Sequence, residues 1–85
     1  MGKRGTVRAI NTQRGMVAIK ADDGGYTIIE LLGHFEVQLG DRMAWENDYG
    51  LGGETYINLT SGESSGVFVQ NHDVPEVQLR RQLLL

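Results

Sequence analysis

Met16-Val17-Ala18-Ile19-Lys20-Ala21-Asp22-Asp23-Gly24-Gly25-Tyr26-Thr27-Ile28-Ile29-Glu30-Leu31 decides the fold class. Residues 16–20 alternate as a strand does, with Val17 and Ile19 on one face and Met16, Ala18 and Lys20 on the other. Asp22-Asp23-Gly24-Gly25 is the strongest hairpin signal in the chain, because Asp-Gly and Gly-Gly supply the positive φ that primed turns need. Residues 26–31 then form a second strand of that hairpin. Upstream, residues 5–11 contain β-branched Thr6, Val7 and Ile10, and a short turn ending in Gly15 joins them to residue 16. Connections this short exclude crossovers, so the three strands make an antiparallel meander.

Outward from the meander, residues 31–39 read as an irregular connection or a single helical turn. Residues 42–46 form a fourth strand with Met43 and Trp45 on one face, followed by a glycine-rich loop over 47–53. Residues 54–59 alternate, with Thr55, Ile57 and Leu59 opposed to Glu54, Tyr56 and Asn58. A polar turn leads to a short sixth strand over 66–70, around Val67, Phe68 and Val69. The tail changes period. Asp73 is placed to cap a helix, Pro75 suits a first turn, and Val77, Leu79, Leu83 and Leu84 recur at helical spacing. The predicted organisation is a single domain over 1–85. Its barrel core spans 5–60, an extra hairpin strand lies in 61–72, and an amphipathic helix over 74–84 closes one end.

The 85 residues are 40% hydrophobic and 22% charged, the balance of one folded domain rather than a disordered chain. The absence of cysteine excludes disulfides and thiolate zinc sites, and His34 and His72 are too few to hold a metal alone. No apolar run has the length of a membrane helix and no secretory segment opens the chain, which leads to the expectation of a cytoplasmic protein with no membrane role. Gly62-Glu63-Ser64-Ser65-Gly66 fits the pattern of a nucleophile elbow, but a strand rather than a helix follows it directly and His72 precedes Asp73, so it reads as a polar turn. Without paired acid and base, nucleophile or cofactor signature, the chain is expected to be neither an enzyme nor a cofactor protein. The formal net charge of −3 hides an asymmetry. Residues 1–20 carry Lys3, Arg4, Arg8, Arg14 and Lys20 with no acid, whereas residues 21–65 carry nine acids and only Arg42. A basic segment can attract phosphates locally because distant charges are screened.

Gly5-Thr6-Val7-Arg8-Ala9-Ile10-Asn11 matches in frame the opening strand of the bacterial cold-shock domain, Gly-x-Val-Lys-Trp-Phe-Asn. Gly15, Gly40-Asp41 and Asn58-Leu59-Thr60 match that family's later landmarks, so residues 5–60 resemble it. The resemblance implies an all-β fold, a five-stranded antiparallel OB-fold barrel, here with an extra short strand and a C-terminal helix. It also implies weak binding of single-stranded nucleic acid, RNA or ssDNA. Lys3, Arg8, Arg14 and Lys20 would meet phosphates, Asn11 a base edge, and Tyr49 would offer a stacking surface. The family's stacking aromatics are missing: their positions hold Ala9, Met16, Ala18, Thr27, Ile29 and Glu30. Each stacked base is worth ~1–3 kcal/mol, so the family's own platform would bind little here. Two other readings follow from that loss. The face assigned to Met16, Ala18, Thr27 and Ile29 is an apolar patch for a protein partner or a homodimer, or it is covered by the C-terminal helix through Val77, Leu79 and Leu83.

Overall fold

The computed structural model describes residues 2–85. Its strands are β1 (Lys3–Asn11), β2 (Met16–Ala21), β3 (Tyr26–Leu31), β4 (Arg42–Trp45), β5 (Gly52–Asn58) and β6 (Ser64–Val74). A 3-10 turn over Glu76–Gln78 leads into one turn of helix, α1 (Leu79–Gln82). The strands close into an antiparallel barrel in the order β1-β2-β3-β6-β5-β4, with β4 returning to β1. The short β4 covers β1 only over residues 3–6 and β5 only over residues 56–58. No helix among the described residues is long and apolar enough to cross a membrane.

The meander over β1, β2 and β3 forms as expected, and all six strands contribute to one barrel rather than five plus an accessory. The strand expected over 66–70 is eleven residues long and pairs with both β3 and β5. Its alternation explains the insertion: Val67 and Val69 enter the core while Gly66, Phe68 and Gln70 face outward. Near its end the register with β3 shifts, and Asp73 takes φ 54°. Asp tolerates this left-handed conformation better than most residues. Asp73 therefore ends a strand instead of capping a helix, Val74 belongs to β6, and the helix expected over 74–84 shrinks to the turns after Pro75.

Two apolar clusters hold the molecule together. Inside the barrel lie Val7, Val17, Ile19, Ile29, Met43, Val67 and Val69, with Trp45 and Tyr56 stacked at 4.8 Å. Phe35, from the long connection between β3 and β4, plugs one end. Gly5 is required where β1 crosses β2, since a Cβ there would lie 2.6 Å from the Lys20 carbonyl oxygen. Asn58 is fully buried and ties the plug to the barrel. Its Nδ2 donates to the Asp41 carboxylate at 2.8 Å, while its Oδ1 accepts from the backbone N–H groups of Thr60 and Ser61. The second cluster lies outside the barrel wall, where Met16, Ala18, Tyr26, Ile28 and Val74 pack under Leu83.

That outer cluster corrects the assignment of faces. Met16 pairs with Glu30 and Ala18 with Ile28 on the outer surface, whereas Val17 pairs with Ile29 and Ile19 with Thr27 inside. Thr27 and Ile29 thus point into the barrel. Side chains alternate along a strand, so placing them with Met16 and Ala18 is a one-residue error of register. The third of the three readings describes this face: Leu83 is 0% exposed upon it, with Leu79 beside it, and Val77 at 91% exposure takes no part.

Candidate nucleic-acid interface

Of the six residues the sequence singled out, the barrel brings together two pairs and scatters the rest. Lys3 is only 8% exposed; its ammonium lies 3.5 Å from the Asp23 carboxylate and 4.1 Å from the centre of the Tyr49 ring. Burial disfavours that charge, but Tyr49 and Asp23 outweigh the desolvation and hold the ammonium above its ordinary pKa. Tyr49 is 59% exposed, with one face against Lys3 and its edge against His72. Lys20 donates to the carbonyl oxygens of Gly24 and Ala21 in the hairpin turn. Arg8 is exposed on the outside of β1. Asn11 is buried, and its Nδ2 donates to the Leu83 carbonyl oxygen at 2.7 Å. It latches the C-terminal segment onto the wall and has no edge left for a base. Arg14 follows Asn11 in the turn and is exposed beside a groove.

The His72 side chain is similarly committed to the fold. Its Nε2 lies 2.9 Å from the Gly50 carbonyl oxygen, which can only accept, so Nε2 carries the proton. Nδ1, 2.9 Å from Thr27 Oγ1, then accepts from that hydroxyl. Thr27, His72 and Gly50 hold the β4–β5 loop over one end of the barrel. Among the described residues, no cluster of three potential metal ligands occurs.

The groove beside Arg14 gathers the chemistry that a ligand could use. Arg14, Met16, Glu30, Gln70, Arg81, Gln82 and Leu84 line about 360 Å³ between the barrel wall and the C-terminal segment. Among the described residues, the ion pairs are Lys3–Asp23 and Arg42–Asp22. Neither Arg14 nor Arg81 is in an ion pair, although Glu30 lines the same groove. Gln70 Nε2 donates to Glu30 Oε1 at 3.1 Å across the β3–β6 pairing.

Phe68 is paired across the strands with Glu30, one of the groove's lining residues. Met16, Glu30 and Phe68 form one row across β2, β3 and β6, and Gly53 of β5 continues it. Neighbouring strands lie about 4.8 Å apart, so Phe68 is one strand from Glu30 and two from Met16. Phe68 is 43% exposed, and a Cβ added at Gly53 or Gly66 would meet nothing within 4 Å. Packing within the chain thus gives no reason for those glycines, and their effect is to leave the Phe68 ring accessible. The residues missed by the sequence reading are Glu30 as a site residue, Phe68, Gln70 and Arg81. One signal was available for Phe68: with Val67 and Val69 both inside, it must face out.

No family model matches this chain, and comparisons with curated proteins and with solved structures likewise return no match.

Proposed function

We propose that this chain is a small OB-like barrel that binds single-stranded nucleic acid weakly in the cytoplasm, as a binding protein rather than an enzyme. Its contact surface is the groove and the ring beside it, not the basic first and second strands. The observation that carries this reading is the unpaired Arg14 and Arg81 flanking a groove one strand away from an accessible aromatic ring. Guanidinium groups meet phosphates as charged forks, and a base stacks on an aromatic face whatever its sequence. The acidic remainder of the chain keeps the affinity low, because like-charged surface surrounds the patch.

A labelled 12-nucleotide pyrimidine strand, titrated by fluorescence anisotropy at several salt concentrations, tests the reading. Neutralising two phosphates with a single strand gives a log–log salt slope near −1.4. Arg14→Ala and Arg81→Ala should each flatten it by about 0.7. An affinity independent of salt, or unchanged in the double variant, would contradict the mechanism. A second reading, a protein-interaction module or homodimer, draws on the exposed Val77, Leu84 and Leu85. It predicts a dimer in sedimentation that a Val77→Ser, Leu85→Ser variant dissolves.

A further inference from the structure

We infer that the strand bound at this surface is read for guanine, through the Glu30 carboxylate beside Phe68. The inference rests on the reading of the groove as a nucleic-acid surface and adds what the surface would select. Gln70 Nε2 donates to Glu30 Oε1, which orients the carboxylate at the position paired across the strands with Phe68. Gln70 Nε2 keeps its second N–H, but the Glu30 carboxylate can only accept, with Oε2 free and Oε1 retaining a further lone pair. Among the described residues no cation pairs with Glu30, so its charge is available to a ligand.

A base stacked on Phe68 must then present donors to the Glu30 carboxylate. Guanine is the base with two adjacent donors on its Watson–Crick edge, the N1–H and the 2-amino group, which match the two oxygens of a carboxylate. Cytosine and adenine each offer one amino donor beside a ring acceptor. Uracil offers one N–H between two carbonyl oxygens, which a carboxylate repels. Hydrogen bonds to an ionised acceptor are about twice as strong as neutral ones, and a matched bidentate pair discriminates by ~1–3 kcal/mol. Glu30 would repel a phosphate chain, yet the same charge becomes a selective contact when a base edge reaches it. Arg14 and Arg81 line the same groove and offer the phosphates an alternative to the carboxylate.

The test compares the RNA pentamers UUGUU, UUAUU, UUCUU, UUUUU and UUIUU (I, inosine) by amide-shift titration at low salt. UUGUU should bind about tenfold more tightly than UUUUU. UUIUU, which lacks only the 2-amino group, should fall between them. Glu30→Gln should erase the preference, bringing UUGUU and UUUUU to the same affinity, and Gln70→Ala should reduce it. Equal affinities for all five pentamers, or a guanine preference that survives Glu30→Gln, would overturn the inference while leaving strand binding in place. No binding of any pentamer would overturn both.

Discussion

The Tyr56 hydroxyl is buried with no hydrogen-bond partner among the described residues, while its ring stacks on Trp45. An unsatisfied buried hydroxyl costs roughly 1–3 kcal/mol, whereas the ring contributes packing that phenylalanine would keep. Tyr56→Phe is therefore expected to raise stability by about 1 kcal/mol at neutral pH, measured by urea unfolding. Asn58 is the opposite case, a buried amide with both ends satisfied. Asn58→Ala should cost about 2–3 kcal/mol, because it orphans two backbone N–H groups and a carboxylate oxygen. Phe68 separates binding from folding. It is half exposed and lies opposite Gly53 in the strand register, so Phe68→Ala should leave the unfolding midpoint nearly unchanged while weakening strand binding roughly tenfold.

The C-terminal segment matters more as a cover than as a helix. One α-turn has negligible stability alone, so its order comes from Leu83 in the outer cluster and from the Asn11 side chain. Leu83→Ala should cost about 2 kcal/mol or more. It should also speed amide exchange in β2 and β3 along the uncovered wall. This segment also marks the limit of what could be read in advance. The meander was legible because alternation and the Asp-Gly and Gly-Gly turn are local signals. The length of β6, the shortening of the helix and the insertion of a sixth strand into the barrel depend on pairings between residues some forty positions apart. Asp73 illustrates the conflict: its side chain suits a helix cap, and tertiary pairing with β3 makes it a bent strand residue instead. The site was less legible than the fold. Lys3, Arg8, Asn11, Arg14, Lys20 and Tyr49 were chosen by charge and residue type, but Lys3 and Asn11 are buried, and only Arg14 lines the groove. The row from Met16 through Glu30 to Phe68 exists only once the β2–β3–β6 register is known.

Across the whole molecule, the titrating groups set a clear direction for stability against pH. Burial raises the pKa of Tyr56, and burial together with Glu76 raises that of Tyr26; Lys3 is raised as well. A group that holds its proton more tightly when folded contributes stability that is lost as pH rises above its unfolded value. Those unfolded values lie near 10 for tyrosine and lysine, so stability should fall steadily above about pH 10. Asp22 has the reverse sign. Its bidentate bond to Arg42 lowers its pKa, so its contribution is present above the unfolded value and disappears as acid passes below it. The exposed position of that pair keeps its contribution small. Urea midpoints between pH 7 and 11 should show the alkaline decline, and Tyr56→Phe should flatten it. Among the described residues, the same acidic charge distribution leaves Arg14 and Arg81 outside any ion pair in one groove, and binding is the central claim to test. An amide-shift titration with a short single strand, at low salt and again near physiological salt, tests it most directly. Salt-sensitive shifts at Arg14, Glu30, Phe68, Gln70 and Arg81, with Lys3 and Lys20 unmoved, are the predicted result. Shifts centred on β1 and the hairpin turn, or none at low salt, would contradict it.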